Sequence, residues 1–176
     1  SGYTIVVAGK KLNFKIAVIA TGARATQPDI PGMKEAGYLT NENVFNLTQL
    51  PRRLAIIGGG AIGCELAQTF NRFGSKVTIL HRGSHLLNKE DSDAAEIVQK
   101  VFQRENVGLN LNSQIERVES TYEGKKIKYK SNGIKDSIVV DEILVGAGRT
   151  PNVNGLNLET VGVEYDSKGV KVNDNL

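Results

Sequence analysis

With 176 residues, 40% hydrophobic and 23% charged, the chain suits one core-bearing domain with appendages. The net charge of +3, from 22 basic and 19 acidic residues, is too mild to argue for nucleic acid or an anionic membrane, and no apolar run approaches the ~20 residues of a membrane span. The single cysteine, Cys64, excludes an internal disulfide and a cysteine-rich metal site, so no metal is expected and a reducing, cytoplasmic setting is the default.

Ser1-Gly2, with no initiator Met, has the look of residues left by cloning, and Val172–Leu176 stops just after a strand-like run. The chain is therefore expected to be a piece of a longer protein. Thr4–Ala8 and Phe14–Thr21 are β-rich and predict a hairpin around Gly9-Lys10-Lys11. Pro28, Pro31 and Gly32 mark a linker, and residues to about Leu50 are expected to be loop with one short turn. Arg53–Ile57 predicts a short apolar strand. Ala61–Phe73 has helical period, with Ile62, Leu66, Phe70 and Phe73 on one face and Gly74 placed to end it. Lys76–Leu80 predicts a second strand. Asp91-Ser92-Asp93 offers an N-cap for a helix carrying Ala94, Ile97, Val98, Val101 and Phe102 on one side.

Val107–Leu111 predicts a third short strand. The period then returns to two: Ile115–Tyr122, Lys126–Lys130 and Ile134–Val140 are strands parted by turns at Glu123-Gly124 and Ser131-Asn132-Gly133. Glu142–Ala147 predicts a buried strand, and Val161–Val172 one more hairpin around Asp166–Gly169. Strand–helix–strand–helix–strand, an antiparallel excursion and a closing strand make an α/β pattern: a Rossmann-like parallel sheet with helices.

Gly58-x-Gly60-x-x-Gly63 lies within this pattern, with a strand before it, a helix after it and a second strand following. The first glycine allows the tight turn, the second lets a pyrophosphate approach the backbone, and the third lets helix and strand pack closely. The anion would rest on the free N–H groups at the helix N-terminus, where the dipole favours negative charge. The alternative is a glycine turn that only permits packing. Glu65, placed in the first turn, has two readings: it complements the helix dipole, or it pairs with a cation near a reactive ring. Cys64, with no nearby histidine, is expected to be a small packing residue.

Four passages together resemble the pyridine nucleotide-disulfide oxidoreductases, flavoproteins that include lipoamide dehydrogenase, glutathione reductase and mercuric reductase. They are Ala20–Arg24 followed by Ile30-Pro31-Gly32; Leu50–Arg53; Gly58–Glu65; and Gly148–Asn152. GSKVTIL and VGAGRTPNV lean toward mercuric reductase. The resemblance implies that Thr21, Gly22 and Ala23 contact FAD, and that Gly58 through Glu65 hold the pyridine nucleotide, Glu65 supporting the nicotinamide side. It implies further that Ile115 is an adenosine-side backbone contact, and that Gly148 and Arg149 close over the nucleotide. Residues 1–32 would then end the first half of an FAD-binding domain, 33–150 would form the NAD(P)-binding domain, and 151–176 would begin the second half. The longer protein would be a cytoplasmic homodimer that passes hydride from NADPH to FAD and on to a disulfide or metal. The 176 residues themselves lack the flavin phosphate loop and a redox cysteine pair and would not turn over.

An NAD site usually ends its second strand with a carboxylate that accepts from the ribose 2′-OH. That position, 23 residues past Gly58, is His81, followed by Arg82. The resemblance places Arg82 on an arginine of NADPH-using relatives, which favours NADP(H) over NAD(H), although a second arginine of glutathione reductase falls on Asn88. Otherwise Arg82 is a solvated strand-end charge; His81 and His85 would assist it when protonated, or stand idle as lone surface histidines more often do. Two other functions fit less of the sequence: an NADH oxidase or ferredoxin reductase-like flavoprotein without a redox disulfide, and a nucleotide-binding sensor.

Overall fold

The computed structural model describes residues 3–175; Ser1, Gly2 and Leu176, with what is expected of them, lie outside the described residues. The chain forms two compact units, one from the segments up to Arg24 and from Thr150 onward, the other from Ala25 to Arg149.

The first unit opens with β1 (Tyr3–Val7) and β2 (Lys10–Phe14), an antiparallel hairpin. Its turn is Ala8-Gly9, both at positive φ (49° and 78°). Two such residues form the tight hairpin turn whose twist matches the strands. Val7 therefore pairs with Lys10, and the second strand starts four residues earlier than the expected Phe14. Residues 15–22 are not strand. The short β3 (Ala23–Ala25) leads into the second unit.

There, α1 (Met33–Ala36) and a 3₁₀ turn at Val44–Asn46 precede β4 (Arg53–Ile57). α2 (Ala61–Arg72), β5 (Lys76–Leu80), α3 (Ser92–Arg104) and β6 (Gly108–Asn110) follow. Then come β7 (Ser113–Thr121), β8 (Gly124–Ser131), β9 (Ile134–Val140) and β10 (Glu142–Val145). The parallel sheet runs β10-β4-β5-β6, and β7-β8-β9 form a separate antiparallel sheet. The fold is the α/β class expected.

The parallel strands are apolar at successive positions because both faces are covered. Leu54, Ile56, Val77, Ile79 and Leu144 pack with Leu66, Ala67 and Phe70 of α2 and Phe102 of α3. Ala55, Ile57, Leu80, Ile143 and Val145 pack with Val118, Ile127, Tyr129 and Val140 of the antiparallel sheet and with Met33. The turn before α1 is no linker. Val118 N–H donates to the Pro31 carbonyl (2.9 Å), and a Cβ on Gly32 would overlap the Val118 carbonyl oxygen. This packing carries residues 25–32 into the second unit, so the compact unit begins at Ala25, before residue 33.

Gly74 ends α2 at φ 107°, its N–H on the Asn71 carbonyl and that of Ser75 on Phe70, which satisfies the last-turn carbonyls. Phe73 caps the helix and is 68% exposed, so it leaves the face shared by Ile62, Leu66 and Phe70. α3 is rotated from expectation. Ala95 and Phe102 are buried and Val98 and Gln99 half-buried, whereas Ala94 and Ile97 face solvent. Gln99 Oε1 accepts from Leu86 N–H (2.8 Å) over a fully buried Leu86, and that bond turns the polar residue inward.

The chain returns to the first unit through β11 (Arg149–Pro151). The tail holds a 3₁₀ turn at Leu158–Val161 and a hairpin of β12 (Tyr165–Asp166) and β13 (Gly169–Val170), centred where expected but with strands of only two residues.

Candidate dinucleotide-binding site

β4 is followed by β5 on one side and joined by β10 on the other, so the strand order reverses at the carboxyl end of β4. Open α/β sheets present ligand crevices at such a point. The glycine loop stands there. Gly58 has φ 108° and donates to the Leu80 carbonyl (3.0 Å); a Cβ on it would stand 2.6 Å from the Gly146 carbonyl oxygen. A Cβ on Gly63 would overlap the Gly58 carbonyl oxygen, and one on Gly146 would reach 3.2 Å from Gly63 Cα. These three glycines let α2, β4 and β10 meet backbone to backbone. Gly146 closes a strand beside the loop, and that position was the signal for a role not assigned to it from the sequence.

Gly60 differs. It caps α2 at φ −81° and ψ −175°, ordinary extended backbone, and a Cβ there would meet nothing within 4 Å. No side chain caps the helix, and the first intrahelical bond runs from Cys64 N–H to the Gly60 carbonyl (2.9 Å). The N–H groups of Ala61, Ile62 and Gly63 precede that bond and lack an intrahelical acceptor. An open approach, uncapped donors and the positive end of a helix dipole fit a phosphate group.

Gly59 is held from behind. Its N–H donates to His81 Nδ1 (3.0 Å), and its carbonyl accepts from Leu87 N–H (2.7 Å). His81 is thus tucked beneath the loop, and burial pushes its pKa down. It does not stand beside Arg82 as a second cation. Arg82, one residue on, is exposed and makes no salt bridge among the described residues. His85 turns its Nδ1 to the Leu86 carbonyl (2.7 Å).

Glu65 is the fifth residue of α2, so it belongs to the second turn and not the first, and it is exposed. Its distance from the helix end weakens the dipole reading. Cys64 is buried, with its thiol pushed up to about 11 by burial and then by Glu65, which suits a packing residue. Ile115 is half-buried on β7, whose first residue, Ser113, donates its N–H to the His81 carbonyl (2.8 Å). Gly148, at φ 112°, lies past β10, and its carbonyl accepts from Thr26 N–H (3.0 Å); Arg149 follows it, exposed.

Thr21, Gly22 and Ala23 belong to the other unit. Thr21 Oγ donates to the Asn152 carbonyl (2.7 Å), Asn152 Nδ2 donates to the Thr21 carbonyl (3.0 Å), and Asn152 N–H donates to the Gly22 carbonyl (3.0 Å). Asn152 clamps this turn, a role that needed its fold partner to be seen.

The sequence pattern of the family described as "Pyridine nucleotide-disulphide oxidoreductase" matches residues 3–176. The chain belongs to this family. It is 39% identical over 171 residues to mercuric reductase of Bacillus cereus, covering 97% of this chain and 27% of that protein. It is 34% identical over 180 residues to dihydrolipoyl dehydrogenase of Acholeplasma laidlawii, covering 100% of this chain and 52% of that one. The solved structure of the HOCl-induced flavoprotein disulfide reductase RclA from Escherichia coli superposes with a TM-score of 0.85 at 32% identity, covering 97% of this chain and 39% of that one. The chain therefore spans between about a quarter and about half of these relatives. The family's cofactors are a pyridine nucleotide and FAD. No helix among the described residues is long and apolar enough to cross a membrane.

Proposed function

We propose that the unit from Ala25 to Arg149 binds NAD(P)H within a flavoprotein oxidoreductase. The observation that carries this is Gly60, where space is left open above an uncapped helix N-terminus at the strand-order reversal. The pyrophosphate would rest on the N–H groups at the start of α2, where the helix dipole favours negative charge. Bound there, the reduced nucleotide supplies a hydride for the flavin. The chain's own residues bind and orient it. Gly58, Gly63 and Gly146 hold the crevice rigid, Ile115 borders the adenosine side, and Gly148 and Arg149 cover the opposite end. Glu65 faces outward one turn along α2, where it can pair with a cation on the nicotinamide side.

Arg82 supports NADP(H) over NAD(H), because an exposed guanidinium at the end of the second strand suits a 2′-phosphate. Thr21, Gly22 and Ala23 would contact FAD, with the segments up to Arg24 and from Thr150 belonging to a flavin domain. The longer protein would be a cytoplasmic homodimer related in activity to mercuric reductase, delivering electrons to a disulfide or metal.

Calorimetric titration of the 176-residue chain with NADPH and NADH tests the central statement. Saturable binding at one site per chain is expected. Failure of both nucleotides to bind would refute it.

A further inference from the structure

We infer that His81 is a positioning residue of the glycine loop: as a neutral imidazole it accepts the Gly59 N–H on Nδ1 and holds the loop in the form that receives the pyrophosphate. This rests on the proposal that the loop binds a pyridine nucleotide. The position that carries a ribose-binding carboxylate in an NAD site here faces inward and serves the loop. Selection at the 2′ position then falls to Arg82.

Gly59 N–H reaches Nδ1 at 3.0 Å, and a nitrogen can accept only while it carries no proton. The ring proton is therefore on Nε2, which is buried with no well-formed hydrogen bond and has only the His85 carbonyl as an acceptor acting on it. The ring has little room to leave. His81 N–H donates to the Asn110 carbonyl (2.9 Å), and the His81 carbonyl accepts from Ser113 N–H (2.8 Å), so its backbone is stitched between β6 and β7. A Cβ on Gly59 would overlap Leu86 Cδ2 and stand 3.0 Å from His81 Cγ; ring and leucine are the floor of the loop. Protonating Nδ1 would set a donor against a donor and release Gly59.

The elements around the ring carry Cys64 and Glu65 at the start of α2, and Arg82, His85, Lys89, Glu90 and Asp91 on the loop after β5; β6 and the start of β7 carry no titratable side chain. Burial is the largest influence and disfavours the ring's cation, the His85 backbone carbonyl favours it, and the His85 charge disfavours it least. Loop order should thus be lost as pH falls below the histidine range, with affinity following it.

The test uses the 176-residue chain and NADH, which has no 2′-phosphate to titrate. His81→Asn keeps an acceptor near the place of Nδ1 at every pH; His81→Leu removes it. His81→Leu should weaken NADH and NADPH by the same factor, about tenfold or more, and His81→Asn should restore most of the loss. NADH affinity of the unaltered chain should hold down to about pH 6.5, the ordinary histidine value, and drop as pH falls below it, because burial pushes the His81 pKa down, and His81→Asn should flatten that drop. Without nucleotide, the Gly59 amide resonance should titrate together with the His81 ring. Wild-type NADH affinity in His81→Leu, a loss confined to NADPH, a pH step that survives His81→Asn, or one that vanishes in His85→Asn would each overturn the inference. If neither nucleotide binds the unaltered chain, the nucleotide proposal fails, and the Gly59 resonance alone decides whether His81 orders the loop.

Discussion

Replacing Gly60 with Val separates what the fold needs from what a ligand needs. At φ −81° and ψ −175°, with nothing within 4 Å of a Cβ, position 60 accepts a β-branched side chain without strain. Loss of unfolded-chain freedom would even stabilise the protein slightly, by about 0.4–1 kcal/mol. The valine methyls would, however, fill the space through which a phosphate reaches the α2 N-terminus. If two charge-assisted N–H contacts are lost at roughly 1.5–3 kcal/mol each, affinity falls by about 10²–10⁴-fold. Calorimetry with NADPH reads the affinity, and a thermal melt reads the fold; Tm should shift by no more than about 4 °C. Wild-type affinity in Gly60→Val would remove the pyrophosphate from this place. A large fall in Tm would show that the open space is needed by the fold itself.

Gly63→Ala should do the opposite: its Cβ would overlap the Gly58 carbonyl oxygen, so a loss of about 2–4 kcal/mol is expected by chemical denaturation. Arg82→Ala should weaken NADPH by about tenfold and leave NADH nearly unchanged, and the NADPH preference of the unaltered chain should shrink with added salt because the guanidinium is exposed. Tyr129, buried and bonded to Asp136 (3.0 Å) and Asn110 (2.9 Å), has its pKa raised from 10.0 to about 12, first by burial and then by the Asp136 bond. The folded state holds this proton more tightly than the unfolded chain, so stability is fully present below pH 10 and lost as pH rises toward 12; denaturation across that window should show the decline, and Tyr129→Phe should flatten it.

The parallel sheet and its helices were legible because apolar runs, a 3.6-residue period and capping glycines are local signals. The motif glycines were legible for the same reason, since their spacing is set within one turn and one helix. What the sequence hid depends on distant partners. The inward face of α3 is decided by the Gln99–Leu86 bond, 13 residues apart in sequence, and no amphipathic period contains it. The early start of β2 depends on Ala8 adopting positive φ, which an alanine does not announce. His81 looked like a partner of Arg82 because the two are adjacent. Its actual contact, Gly59, lies 22 residues away and is reached only once β4 and β5 pair in register.

That contact also governs how cofactor choice can be re-engineered. Replacing both His81 with Glu and Arg82 with Ala should invert the preference toward NADH. A carboxylate at 81 has two oxygens: one can accept the Gly59 N–H at neutral pH, as Nδ1 does, and the other can accept from a ribose 2′-OH. The loop would stay ordered while the charge at the 2′ position changes sign, repelling a phosphate and favouring a hydroxyl. Arg82→Ala alone should lower NADPH affinity without raising that of NADH, because His81 offers nothing to the ribose from beneath the loop. The carboxylate bears a burial cost, since His81 is half-buried and its charged form is already disfavoured there. A modest fall in Tm should therefore accompany the switch. Titrations of both nucleotides against the single and double variants distinguish the outcomes. If Arg82→Ala alone inverted the preference, or the double variant still favoured NADPH, then 2′ selection would lie elsewhere in the site and this division of labour between residues 81 and 82 would be wrong.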